Sequence, residues 1–204
     1  MGKRITIILI LSLVSLPVFS SGWGMEFNVN YNIGNSDFFS RTKTLYQSEG
    51  YNFLENKKNN LGIGFTTGII IPVTSRLSVI PALTINFGHQ SYEFLRQEGQ
   101  SDSDIKENYS FLIYTGSLNA NYDLFILKNG WQVTFLLGTG YNDFHVDGES
   151  GLKRTNFWGA KAGIGAKFFQ LKNFGFQTFL IYNYPFNEKN FTYLTLKTGI
   201  IYRF

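Results

Sequence analysis

From residue 23 onward the apolar and polar positions of the chain alternate. In WGMEFNVNYNIG (23–34), Met25, Phe27, Val29, Tyr31 and Ile33 fall on one side of an extended chain, and Glu26, Asn28, Asn30 and Asn32 on the other. A period of two predicts a β-strand with one apolar and one polar face. Seven further stretches read the same way, at 61–71, 77–87, 110–122, 131–141, 157–168, 174–184 and 193–204. Each is about 11 residues long, against about 5–6 for an average strand in a soluble protein, and a tilted membrane-crossing strand needs about 9–11.

The composition of the two faces decides what surrounds them. On the polar side, 61–71 presents Gly62, Gly64, Thr66 and Gly68, and 110–122 presents Thr115, Ser117, Asn119 and Asn121. These residues suit a narrow interior. The apolar side carries no Asp, Glu, Lys or Arg in any of the eight stretches, as a lipid-facing surface requires, because a cation at the bilayer midplane costs about 2–4 kcal/mol. The apolar face is therefore expected to point outward.

Long and short connections alternate along the chain, the pattern of barrels with long outer loops and short periplasmic turns. The segments PVTSR, 123–130 and FQLKN are expected as periplasmic turns. Much of the charge lies in the long connections at 35–60 and 88–109. Trp23, Tyr122, Trp131, Phe174 and Phe204 fall near one end of the strands, and Tyr31, Phe87, Tyr141, Trp158 and Tyr184 near the other, as two interfacial aromatic girdles would. The expected fold is all-β: an eight-stranded antiparallel up-and-down transmembrane β-barrel, with N- and C-termini periplasmic.

Composition agrees with this reading. Aromatic residues make up 18% of the 204 and charged residues 16%, the latter well below the usual quarter. Lys3 and Arg4 precede the apolar run ITIILILSLVSLPVF and then Ser20, Ser21 and Gly22, the tripartite shape of a secretory signal peptide. Residues 1–20 are expected as that signal, with cleavage after Ser20 or Gly22, and 21–204 as the outer-membrane barrel domain. Loss of Lys3 and Arg4 leaves a nearly neutral chain with no electrostatic case for nucleic acid. The absence of cysteine excludes disulfides and a lipidated N-terminal cysteine.

The chain thus resembles the small eight-stranded outer-membrane β-barrels of diderm bacteria over residues 23–204. In that family the last strand commonly ends in Phe, with alternating apolar or aromatic residues before it. Ile200, Tyr202 and Phe204 match this C-terminal signature, and the resemblance implies that the outer-membrane assembly machinery reads it. The resemblance also implies an outer-membrane location, a lipid and lipopolysaccharide-type environment, and an unknown extracellular ligand for loops 35–60 and 88–109. A physical reason stands beside it: the last strand must pair with the first, because no open sheet edge survives in lipid.

Candidate chemistry is sparse. The Gly-x-Gly triplets at 62–64, 138–140 and 163–165 lack the further glycine, helix start and lysine of a nucleotide loop and read as lumen-facing glycines. His89 and His145 are the only histidines, with no second His or Cys at metal-ligand spacing. No cofactor or metal is expected. GHQSYEF places His89, Ser91 and Glu93 on one outward strand face and resembles the His-x-Ser pair of outer-membrane lipid A deacylases, which implies a catalytic trio as the alternative to a non-enzymatic barrel. Here the pair occurs early in the chain and Tyr92 follows the serine, unlike that family. Parity also gathers Glu26, Lys161, Lys167, Lys197 and Arg203 in the lumen, with Arg203 the expected partner of Glu26. The functional expectation is a non-enzymatic barrel, acting as a membrane anchor with surface loops or as a narrow solute conduit.

Overall fold

The alternating stretches do form strands, and their two faces separate as the pattern requires. The computed structural model describes residues 22–36, 51–55, 60–96, 105–127, 130–147, 154–169, 173–186 and 191–204; the expected signal segment lies outside them. The strands are β1 (Gly24–Ser36), β2 (Tyr51–Glu55), β3 (Asn60–Pro72), β4 (Leu77–Arg96), β5 (Ile105–Ile126), β6 (Trp131–Asp147), β7 (Arg154–Phe169), β8 (Phe174–Pro185) and β9 (Phe191–Arg203). All pairings are antiparallel, running β3-β1-β9-β8-β7-β6-β5-β4 and closing from β4 back to β3. The result is an eight-stranded up-and-down barrel.

The short β2 does not add a ninth stave. It pairs with the far half of β4, Tyr51 opposite Arg96 and Phe53 opposite Phe94, whereas β3 occupies the near half, Ile63 opposite Phe87. Both therefore line the same edge of β4. β4 and β5 run to 20 and 22 residues, far longer than their alternating segments, and stay paired out to Phe94 opposite Ile105. Most of the expected loop 88–109 is thus a two-stranded ribbon. Likewise part of the expected turn at 123–130 belongs to β5.

Closure is made by the first and last strands. The β1–β9 ladder runs from Gly24 opposite Arg203 to Ser36 opposite Phe191, and the Phe204 amide donates to the Trp23 carbonyl at 2.8 Å. A register shift between Tyr31 and Ile33 interrupts β1–β3. Gly62, across from it, has a φ of 86°, open to glycine and strained for residues with a Cβ.

The outward surface is apolar and exposed, with Phe27, Val29, Phe65, Leu118, Leu137 and Ile164 among its large side chains. On β6 the apolar band runs from Trp131 to Tyr141, about 34 Å along the strand and about 26 Å along the axis at a tilt near 40°, close to the roughly 25 Å band of transmembrane barrels. Beyond Tyr141 the same face carries Asp143 and His145, whose side chains meet at 3.2 Å. Tyr141 packs edge-on against Trp158 at that boundary. Inside, large side chains sit over glycines of the neighbouring strand. A Cβ at Gly165 would collide with the Phe179 ring, and one at Gly88 with that of Phe111.

Candidate functional site

Inward positions fill the barrel in layers. Toward the short turns, Ile70, Ile80, Ala82 and Ile201 form an apolar cluster with Phe169 packed against it. Midway, Leu136, Phe179 and Ile181 form a second. Toward the long connections, Phe111, Ile113, Phe144, Phe157 and Tyr193 form a third, with Phe111 and Phe144 stacked at 5.5 Å. Apolar side chains thus fill the lumen near both ends.

Polar residues between these layers satisfy one another across strands. Asn30 donates to Thr66 at 2.7 Å, and Thr66 is bonded to Thr84. Asn32 donates to Asn86 and accepts from Thr195, which in turn accepts from Asn183. Thr115 donates to Asn142. Short polar side chains on most staves are what the Asn- and Thr-rich pattern supplies, and each bond removes a desolvation penalty that a lone buried amide would carry.

Among the described residues two ion pairs stand in this lumen. Glu26, fully buried, receives Lys197 Nζ at 2.5 Å and the Gln177 amide at 2.7 Å. Gln177 also donates to Asn28 Oδ1 at 2.7 Å. Asp123 receives Lys167 Nζ at 3.0 Å and the Thr134 hydroxyl at 2.6 Å. All four ionised side chains of the two pairs are largely shielded from solvent. Charge-assisted bonds to neighbouring amides and hydroxyls are what make such pairs tolerable at low dielectric.

Two expectations about this cluster need correction. Arg203 does not pair with Glu26; its guanidinium lies 3.8 Å from the centre of the Phe169 ring, a cation–π contact at the turn end. In the closing ladder Glu26 faces Ile201 and Lys197 faces Asn30, so Lys197 reaches along the lumen on its long stem. Nor is Glu26 the only lumen carboxylate among the described residues, because Asp123 also points inward. The inward run Thr115, Ser117, Asn119 and Asn121 continues to it by parity. That continuation was the available signal, obscured by reading 123–130 as a turn.

Lys161 lies inside with the others but in different company. It lines a cavity of about 40 Å³, together with residues including Asn30, Asn86, Asn119 and Lys197. Outside the barrel, His89 is exposed and its Nδ1 lies 3.3 Å from Ser110 Oγ across the β4–β5 ladder. The backbone of β4 places Ser91 opposite Asn108 and Glu93 opposite Lys106; the side chains of Ser91 and Glu93 lie outside the described parts of the structure. Among the described residues no group of three or more His, Cys, Asp or Glu is placed to hold a metal ion.

The layered lumen, the closing ladder and the outward apolar band can be compared with known proteins. No protein-family model and no curated relative matches the chain. Solved structures do. The attachment invasion locus protein Ail of Yersinia pestis aligns over 91% of this chain and 100% of its own, at 13% identity and a TM-score of 0.51. OprG, an outer membrane protein of Pseudomonas aeruginosa, aligns over 91% and 96%, at 12% identity and a TM-score of 0.56. The N-terminal β-barrel domain of Pseudomonas aeruginosa OprF covers 91% and 100%, at 14% and 0.51. The fold is that of the small eight-stranded outer-membrane β-barrels. At these identities the likeness concerns the path of the backbone, and the lumen described above is this chain's own.

Proposed function

We propose that the protein is an integral outer-membrane barrel, non-enzymatic and non-conducting at rest, that anchors an exposed β4–β5 ribbon and the neighbouring connections at the cell surface. The observation that carries this reading is the combination of an apolar outer band with a lumen filled by side chains near both ends. Eight staves leave an interior about wide enough for side chains. Aromatic rings and two buried ion pairs occupy it, so the solute-conduit alternative is the weaker one. The ribbon supplies the surface role: its ladder holds β4 and β5 in register well beyond Tyr114, the last outward aromatic of β5 before the polar Ser110.

The short turns and both termini are assigned to the periplasm, and the ribbon to the outside. The absence of cysteine makes the test clean. Ser75→Cys in the β3–β4 turn and Lys106→Cys on the ribbon are made singly, and intact cells are treated with a membrane-impermeant maleimide. Lys106→Cys should label on intact cells and Ser75→Cys only after the outer membrane is permeabilised. Labelling in the opposite sense would invert the orientation, and recovery of the protein in the soluble periplasmic fraction would remove the membrane reading. Purified barrel in planar bilayers should show no steady ion conductance, in contrast to what a conduit requires.

A further inference from the structure

The lumen carries an imbalance of charge that its ion pairs do not resolve. Among the described inward residues the carboxylates are Glu26 and Asp123, bonded to Lys197 and Lys167 respectively. Two cations remain. Arg203 is partly exposed at the turn end and lies over Phe169. Lys161 is in the interior, and no described acceptor lies within hydrogen-bonding reach of its ammonium.

Small residues flank it along and across the strands. On β7 it stands between Gly159 and Gly163, and across the ladder to β6 it faces Gly138. The 40 Å³ cavity beside it is lined by side chains of neighbouring staves, among them Asn30, Asn86, Asn119 and Lys197. Further acceptors in the same wall also lack partners: Asn30 Oδ1 and Asn119 Oδ1 are buried with no hydrogen bond. The Phe157 and Tyr193 of the outer apolar cluster bound a smaller void of about 10 Å³ that Lys161 also lines. A void needs about 10–15 Å³ to hold one water molecule, so the main cavity has room for about three particles of that size.

An interior ammonium with no bonded counter-charge is disfavoured, and hydrogen bonds to neutral amides do not cancel its charge. We propose that this chamber is a binding site for one small monovalent anion of chloride size, held on Lys161 Nζ and accompanied by water. The anion accepts from the ammonium and balances it. The accompanying waters donate to Asn30 Oδ1 and Asn119 Oδ1, the two unserved acceptors of residues that line the cavity. The unpaired cation and the unserved acceptors of the cavity are accounted for together by this hydrated occupant. The proposal depends on the lumen alone and is independent of the surface role.

Linkage supplies the test. An anion bound only by the folded barrel shifts the folding equilibrium constant in proportion to its concentration once the site is saturated. Purified barrel is unfolded by urea in lipid vesicles across a series in which sodium chloride replaces sodium gluconate at constant ionic strength, gluconate being too large for the chamber. For the wild type, each tenfold rise in chloride above saturation should raise the folding constant about tenfold. Lys161→Met should fold and show no dependence on chloride. A wild type indifferent to the exchange overturns the proposal whether or not the variant folds, and so does a variant that retains the wild-type dependence.

Discussion

Lys197 reaches Glu26 across the seam where the last strand closes onto the first. The carboxylate belongs to β1 and the ammonium to β9, so one buried contact joins the first and last strands inside the barrel while the ladder joins them in the wall. Glu26→Gln should destabilise the barrel by about 3–5 kcal/mol, the scale for breaking a buried pair. Urea unfolding in vesicles of the single variants and of Glu26→Gln with Lys197→Met should show strong coupling. Arg203→Gln should couple to Glu26 far more weakly. Equal coupling of Glu26 to Arg203 and Lys197 would contradict the geometry.

The second pair makes a parallel expectation. Asp123→Asn removes the charge that balances Lys167 and keeps the shape, and it should also cost about 3–5 kcal/mol. Thr134→Val removes one hydrogen bond to the same carboxylate and should cost less, about 1.5–3 kcal/mol for a bond to a charged group. The ordering of the two losses in the same unfolding assay is the measurement, and a larger loss for the threonine variant would be inconsistent with the arrangement.

Phe179 has no space without the glycine beside it. Gly165→Val should destabilise by at least about 1–3 kcal/mol through overpacking, and Phe179→Leu should recover part of that loss while being destabilising by itself. Additive losses in the double variant would show that the two positions do not share the space.

Assembly should be sensitive to the last residue. Deleting Phe204 removes the amide that bonds to Trp23 and the aromatic ring that packs edge-on against Tyr202. The heat-modifiable, folded form in outer membranes should fall several-fold while export continues. Wild-type amounts of folded protein would mean that the C-terminal signature has little part in assembly.

The deacylase-like alternative is open to a direct check. Ser91→Ala should leave the mass spectrum of lipid A from expressing cells unchanged from wild type. Loss of a deacylated species on that change would establish a hydrolase.

The barrel was legible where lipid imposes a pattern and obscure where it does not. Alternation such as Met25-Phe27-Val29-Tyr31 exists because outward positions must be uncharged and mostly apolar, and it marks all eight staves. Past His89 on β4 and Ser110 on β5 both faces can be polar, so the pattern stops while the backbone ladder continues. β2 escapes notice for the same reason. In the lumen, parity placed Glu26, Lys161, Lys167, Lys197 and Arg203 inside, but pairing is set by stem length and by how far each side chain leans along its strand. Counting depth by residue number favoured Arg203, whereas the ladder puts Arg203 opposite Gly24, one step toward the solvent-accessible turn end.

The apolar layers near the two ends of the lumen also bear on abundance. A barrel with a water column adds a leak with every copy inserted, which limits how many an envelope tolerates. One packed with Phe111, Phe144 and Phe157 at one end and Ile80 and Ile201 at the other adds surface without adding permeability. For the anchoring role proposed above, copy number is then limited by membrane area and export capacity and not by the solute gradients across the membrane.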